Sequence, residues 1–182
     1  MPLSAQVAAP PAPATAAQLD SLQALDARAA ELYAQGRDAE AVPLYFRALD
    51  IYENSPGRDD SSVASRLAKL GFLLKGLRRF AEAEPLYVRA LKIDEQAQGP
   101  EHLDVAVDLN NLASLLEATD RYAEAEPLYR RALSIFEKEL DPQHFAEATC
   151  LSNLARMLTT AKRYAEAESL YVRALADRKS VV

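Results

Sequence analysis

The fold is decided by residues 121–133, which read RYAEAEPLYRRAL. The block occurs three more times, and neighbouring copies lie 42 residues apart: RDAEAVPLYFRAL at 37–49, RFAEAEPLYVRAL at 79–91 and RYAEAESLYVRAL at 163–175. A fixed period of this length indicates stacked repeats, each of which buries its apolar face against its neighbours. The predicted repeats cover about 22–63, 64–105, 106–147 and 148–182.

Each repeat is predicted to contain two helices. Upstream of the block, leucines recur at spacings of three and four residues, which places them on one stripe of a helix. They are Leu67, Leu70 and Leu74, then Leu109, Leu112 and Leu116, then Leu151, Leu154 and Leu158. The block itself forms the second helix, where Ala83 and Ala90 permit close approach of a neighbouring helix and Tyr87 fills the adjoining gap. The joint is only about three to five residues long, so the two helices must be antiparallel.

Two local features conflict with regular helices. The second helices are predicted to begin near residues 39, 81 and 123, and prolines follow at positions where proline starts to cost a hydrogen bond. These prolines are Pro43, Pro85 and Pro127. Gly36 is a plausible residue for ending the first helix of the first repeat. The later repeats have Arg78, Asp120 and Lys162 at that place, which leaves their turns unexplained.

The 42-residue period, the RYAEAEPLYRRAL block, the NNLA at 110–113 and the GPEHLDVA at 99–106 together resemble the tetratricopeptide repeat. More narrowly, they resemble the long-repeat variety of kinesin light chains and their bacterial relatives. The resemblance implies an all-α, right-handed superhelical solenoid of four antiparallel helix pairs, with the first helices lining a concave face. It is strong for the fold and weak for function, because such repeats accommodate many partners.

Composition limits the function classes. The net charge is −6, which disfavours a nucleic-acid binder, and no apolar run is long enough for a transmembrane helix. The single cysteine, Cys150, cannot form an internal disulfide or a cysteine-rich zinc module. Residues 1–18 are uncharged and contain four prolines, which predicts a disordered tail and no signal peptide. A cytoplasmic location is expected, or a periplasmic one if a signal was removed.

No catalytic motif was found: the chain has no Gly-rich phosphate loop, no G-x-S-x-G and no H-E-x-x-H. His144 and Cys150 lie six residues apart, a spacing that does not face them together on one helix. His102 and His144 recur with the connector and are expected near helix starts. We therefore expect no enzyme activity, no metal and no cofactor.

The candidate binding site lies on the first helices, away from the leucine stripe. Asn111 and Asn153 hold equivalent places, and the resemblance implies that an asparagine here clamps the backbone of an extended peptide. An asparagine amide offers both donors and an acceptor, but the alternative is that both residues only bond a neighbouring helix. The predicted site residues are Asn110, Asn111, Asn153, Ser114, Lys69, Phe72, Lys75 and Arg156.

The expected partner is a peptide or a protein, and a mildly acidic or neutral peptide is favoured. Lys69, Lys75 and Arg156 give the face a slight basic excess over Asp26 and Glu117. Chaperone-binding tetratricopeptide domains use a Lys/Asn/Asn/Lys/Arg clamp for a terminal carboxylate, and the resemblance does not extend to it. The corresponding places hold Ala68, Phe72, Asn111, Thr149 and Asn153, of which only Asn111 clearly fits.

The predicted function is a non-enzymatic interaction module that holds a partner on the concave face. The alternative is a structural scaffold that self-assembles into a dimer or filament. A solenoid normally ends in a polar capping helix, and none follows the last block. Leu170, Ala174 and Leu175 are therefore expected to be exposed at this end.

Overall fold

A computed structural model describes residues 16–55, 59–139 and 145–179. These ranges contain eight helices and no strand. The helices are α1 (Ala16–Ala34), α2 (Asp38–Glu53), α3 (Asp60–Gly76), α4 (Phe80–Gln98), α5 (Leu103–Ala118), α6 (Tyr122–Glu139), α7 (Phe145–Thr160) and α8 (Tyr164–Lys179). Most of the predicted tail, residues 1–15, lies outside the described residues, and α1 begins within the remainder.

The helices form the predicted pairs, α1 with α2, α3 with α4, α5 with α6 and α7 with α8. Three residues join the two helices of each pair, which confirms the short antiparallel connection. The second helix of each pair packs against the first helix of the next pair. The first helices α3, α5 and α7 also contact one another, so they form a continuous surface.

The leucine stripes form the centre of the core, as predicted. All nine leucines are buried, and burial of one leucine side chain stabilises the fold by about 1.5–3 kcal/mol. Ala83, Ala90 and Tyr87 are fully buried, which confirms the close approach of the helices at these positions. A Cβ at Gly71 of α3 would lie 2.9 Å from Cε1 of Tyr87, so this contact requires a glycine.

The four turns within pairs share one backbone conformation. Gly36, Arg78, Asp120 and Lys162 all have φ between 59° and 71°, the left-handed region that disfavours side chains. In each turn the following N–H donates to a carbonyl five residues back, for example Arg79 N to Leu74 O at 2.8 Å. This bond satisfies a carbonyl at the helix end, and it holds three non-glycine residues in a conformation that costs each about 1 kcal/mol.

The second helices continue through their prolines. They begin at Asp38, Phe80 and Tyr122, one residue earlier than predicted, and each proline lies inside its helix. The prolines are exposed, and so are the residues four positions before them, Ala39, Ala81 and Ala123. The carbonyls that lose a hydrogen bond therefore lie on the solvent side, where water replaces the missing donor.

Ion pairs connect successive repeats at the same period. One series joins the second helices through Glu53–Arg89 at 2.7 Å, Glu95–Arg131 at 2.6 Å and Glu137–Arg173 at 2.5 Å. The predicted pair within α6, Glu126–Arg130, is also present at 2.7 Å. Exposed pairs of this kind each contribute about 0–1 kcal/mol, so they fix the register of the stack more than its stability.

Candidate functional site

The surface of α3, α5 and α7, here called the groove, carries two rows of residues at the 42-residue spacing. Six of the eight predicted site residues belong to these rows, and the two others, Asn110 and Lys75, lie beside them. The rows are Lys69, Asn111 and Asn153, and Phe72, Ser114 and Arg156. Because the three helices contact one another, residues of different repeats reach each other across the groove.

At the carboxyl ends of these helices the groove contains a recess of about 600 Å³. Its charged lining residues are Lys75, Arg78, Arg156, Glu117 and Asp120, three cations and two anions. We call it the basic recess. Three predicted site residues, Lys75, Ser114 and Arg156, meet here.

Two cations of the basic recess, Lys75 and Arg78, form no salt bridge with a described residue, and of these only Lys75 is half-buried. Lys75 Nζ donates to Ser114 Oγ at 2.8 Å and lies 5.9 Å from the centre of the Phe72 ring. No carboxylate of the described residues pairs with it. Burial lowers the pKa of Lys75, and the positive charge of Arg156 lowers it further. An anion placed beside Nζ would reverse both effects.

Glu117 lies on the predicted face and lines the basic recess, but it is buried there rather than open to solvent. The side chain is 7% exposed, and its two oxygens are occupied. Oε1 accepts from Arg156 Nη1 at 2.5 Å, and Oε2 accepts from the Tyr129 hydroxyl at 2.9 Å. Burial raises the pKa of Glu117, while Arg156 opposes the rise. Glu117 therefore pairs directly with Arg156, and its charge only partly offsets the lowering of the Lys75 pKa.

Asn111 and Asn153 do not have equivalent surroundings, although they hold equivalent places. Asn153 Nδ2 donates to Asn110 Oδ1 at 3.1 Å, and Asn153 Oδ1 accepts from Arg156 at 3.4 Å. Asn153 thus bonds the neighbouring helix, as the alternative interpretation expected. Asn111 is half-buried, and its amide has no hydrogen bond to any residue the structure describes. Of the two, Asn111 remains available to a ligand.

Of the two remaining site residues, Lys69 lies in a second recess and Phe72 lies beside Lys75. Lys69 Nζ lies 4.6 Å from the centre of the Tyr45 ring and lines a separate recess of about 550 Å³ between the first two repeats. Arg66 lines the same recess and pairs with Asp26 at 2.7 Å. Phe72 is half exposed on α3. The structure therefore divides the predicted site between two recesses.

His102 caps a helix, and Cys150 is buried in the core. His102 is the N-cap of α5, where its Nδ1 accepts from Asp104 N at 3.2 Å. Cys150 is fully buried, and burial raises its pKa to about 12, so the thiol stays protonated at neutral pH. His144 lies outside the described residues. Within the described ranges no group of three or more His, Cys, Asp or Glu residues is arranged to hold a metal ion.

Comparison with known proteins identifies the repeat. The family model described as tetratricopeptide repeat matches residues 20–96, 63–138 and 108–180, which together span most of the chain. The chain belongs to the tetratricopeptide repeat family. This fold is generally a non-enzymatic scaffold that binds peptide or protein partners. No curated protein sequence is similar enough to this chain to count as a match.

Several solved structures have a similar fold. BtubC (BKLC) from P. vanneervenii is 25% identical with a TM-score of 0.76, over 88% of this chain and 64% of that one. A kinesin-light-chain-type protein from Podosopora anserina with nearly identical TPR-like repeats is 21% identical with a TM-score of 0.69, over 88% and 76%. Apo RapI is 16% identical with a TM-score of 0.73, over 90% and 44%. This chain therefore spans under two thirds of the length of BtubC and under half that of RapI.

The last helix of this tetratricopeptide array has an exposed apolar face. Leu175 is 55% exposed, whereas Leu133, one repeat earlier, is 8% exposed because α7 covers it. Tyr171 and Val172 are also exposed, and Leu170 is partly buried. The expected exposure of Ala174 is wrong, because this residue is buried within the last repeat. No described helix is long and apolar enough to cross a membrane.

The sequence pattern did not indicate a buried pair of acidic residues between the second and third repeats. Asp94 of α4 and Asp108 of α5 are both buried and lie together between the second and third repeats. Comparison of positions 42 residues apart could have found the pair, since Phe136 and Cys150 occupy the corresponding places in the next repeat interface.

Proposed function

We propose that this tetratricopeptide protein binds an extended segment of a partner protein in the groove, with an acidic side chain of that segment against Lys75. The observation that carries the proposal is the half-buried Lys75 ammonium, which has no salt bridge to a described residue although it lines the basic recess. A cation in such a place keeps part of its desolvation cost uncompensated until an anion binds.

The groups around Lys75 favour binding of a carboxylate side chain. Arg78 stacks on the Phe80 ring at 5.3 Å and adds a second positive charge at the rim of the basic recess. Ser114 already orients the Lys75 ammonium toward α5 through its hydroxyl. A carboxylate bonded to Lys75 would gain about 1.5–3 kcal/mol, because hydrogen bonds to charged groups are stronger than neutral ones.

Asn111 supports an extended backbone as the other part of the ligand. Its amide can donate to a peptide carbonyl and accept from a peptide N–H. It also lies on the same helix face as Ser114, one turn before it. Asn153 is expected to contribute less, since a ligand would first have to break its bond to Asn110.

The test begins with selection of peptides from a random library displayed on phage, using the whole chain as bait. Affinities of a selected peptide are then measured by isothermal titration calorimetry. Lys75→Met should weaken binding about 10- to 100-fold, which corresponds to the energy of a charged hydrogen bond. Lys92→Met is the matched control, because Lys92 is exposed on α4 outside the groove. Equal affinities of the two variants would refute the proposed site.

A second candidate function is self-association through α8. The observation that favours it is the exposure of Tyr171 and Leu175 on α8, whose counterparts one repeat earlier, Tyr129 and Leu133, are both buried. Light scattering coupled to size-exclusion chromatography tests it over a range of concentrations. A dimer that Leu175→Lys converts to a monomer would support self-association, and a monomer at all concentrations would exclude it.

A further inference from the structure

The contact between the second and third repeats contains two buried carboxyl groups. Asp94 of α4 is 4% exposed and Asp108 of α5 is 3% exposed. Burial and the charge of Asp94 raise the pKa of Asp108, so this carboxyl group is protonated at neutral pH. Buried carboxyl groups are rare without a cationic partner, so this pair needs an explanation.

The repeat fold does not require carboxyl groups at these positions. One repeat earlier the places hold Tyr52 and Arg66, and the Arg66 guanidinium lies 4.8 Å over the Tyr52 ring. One repeat later they hold Phe136 and Cys150, both buried. The same interface therefore forms with an apolar pair or with a cation against a ring. The acidic pair is particular to the middle interface.

A recess of about 220 Å³ opens at this pair. We call it the acidic recess; Ser65 and Ala68 of α3 line one side, and Asp104, Val107 and Asp108 of α5 line the other, with Asp94 behind. It thus lies between the two first helices, on the same side of the molecule as the basic recess.

The acidic recess holds an unsatisfied acceptor. Oδ2 of Asp108 is buried and has no hydrogen-bond partner among the described residues. Gln98 Nε2 donates to Asp94 Oδ1 at 3.3 Å and to Asp104 Oδ2 at 2.8 Å, which fixes two of the three carboxyl groups. A donor that reached the free oxygen of Asp108 would therefore also meet the oriented carboxyl groups of Asp94 and Asp104.

We propose that the acidic recess receives a lysine or arginine side chain of the segment bound in the groove. This inference rests on the proposed function and specifies its ligand. A metal ion is a poorer occupant, because the described residues offer no metal-like arrangement of ligands. Asp108 and Ser114, which holds the Lys75 ammonium, are six residues apart on α5, or about 9 Å along the helix. An extended segment covers that distance with about three residues, so its basic and acidic side chains should be about three positions apart.

The proton on the pair makes the binding pH-dependent. Burial and the neighbouring charges of Asp94 and Asp104 raise the pKa of Asp108 to about 8. The other groups that face the pair are Tyr87 of α4 and uncharged Ser65 of α3, and His102 at the cap of α5 acts on Asp94. A cation that binds the ionised carboxylate displaces this proton to the buffer. Its apparent affinity should therefore rise about ten-fold from about pH 7 to about pH 9.

The test uses N-acetyl-arginine methylamide as the probe, with N-acetyl-glutamine methylamide as the uncharged control. Methyl NMR of the whole chain follows Val107, which lines the acidic recess. The arginine compound should shift the Val107 methyl signals in a saturable manner, about ten-fold more tightly at the higher pH. Asp108→Asn should abolish the shift. Asp104→Asn, which changes an exposed member of the recess, should weaken it and serves if the first variant does not fold.

Equal shifts with both compounds, a pH-independent affinity, or unchanged binding in both aspartate variants would overturn the inference. The probe is a single residue, so this result does not depend on Lys75 or on any selected peptide. If the arginine compound binds as expected but Lys75→Met does not change the affinity of the selected peptides, the acidic recess binds cations and the proposed groove ligand is wrong.

Discussion

Replacement of Asp108 by asparagine tests the buried acidic pair through stability alone. In the folded chain the pKa of Asp108 rises from an ordinary 3.8 to about 8, because burial and the adjacent Asp94 disfavour the charged form. Between about pH 4 and pH 8 the folded state therefore holds a proton that the unfolded state has released. The stabilisation is present below the unfolded pKa and is lost as the pH rises toward the folded pKa.

The size of the effect follows from this one proton. The free energy of unfolding of the parent chain should fall by about 1.4 kcal/mol per pH unit relative to Asp108→Asn, whose side chain does not titrate. From about pH 5 to about pH 7 the variant should thus gain about 2.7 kcal/mol on the parent. Carboxylates that do not interact with the pair titrate alike in both proteins, so their contributions cancel in the difference.

Urea unfolding followed by far-UV circular dichroism measures this difference at each pH. Asp94→Asn provides a second check, because removal of the like-charged neighbour lowers the pKa of Asp108 and ends the loss of stability at a lower pH than in the parent. A difference between parent and Asp108→Asn that stays flat from about pH 5 to about pH 7 would refute the buried proton on Asp108.

Three further predictions use urea unfolding with matched variants. Lys162→Gly should raise the free energy of unfolding by about 0.5–1 kcal/mol because Lys162 has φ 61°, and Gly36→Lys should lower it by a similar amount. A loss of stability in Lys162→Gly, or a gain in Gly36→Lys, would contradict the turn argument. Gly71→Ala should cost about 1–3 kcal/mol through its contact with Tyr87, whereas Gly76→Ala, with nothing within 4 Å, should cost nothing; equal costs would count against close packing. Tyr129→Phe should lose about 1–3 kcal/mol with its bond to Glu117, and Tyr87→Phe, whose hydroxyl has no described partner, should be neutral or stabilising; the reverse order would contradict the hydrogen-bond assignment.

The fold could be predicted because the 42-residue period makes each repeat a copy of its neighbour. The leucine stripe, the short joints and the buried Tyr87 all follow from spacing within one helix or one repeat. The turns at Arg78, Asp120 and Lys162 could not be explained in this way. Their left-handed conformation is set by a carbonyl five residues back, and that bond outweighs the local preference of a residue with a side chain.

The candidate site was predicted only in outline, because its details depend on contacts between helices. Asn111 and Asn153 hold the same place, yet only Asn153 has Asn110 within reach. Glu117 has the sequence context of a surface residue, but the Tyr129 hydroxyl and Arg156 enclose it. Asp94 and Asp108 lie on different helices, so no spacing within one helix could have paired them.

The binding of a partner segment in the groove is tested most directly by mapping where a selected peptide binds. Methyl NMR of the whole chain, with and without a saturating amount of peptide, reports on all three first helices at once. Binding in the groove predicts shifts of Ala118 and Thr160, which line the basic recess, and of Val107, which lines the acidic recess, with α8 unchanged. Shifts confined to Val172 and Leu175 of α8 would contradict it and would identify the exposed end of the array as the binding surface.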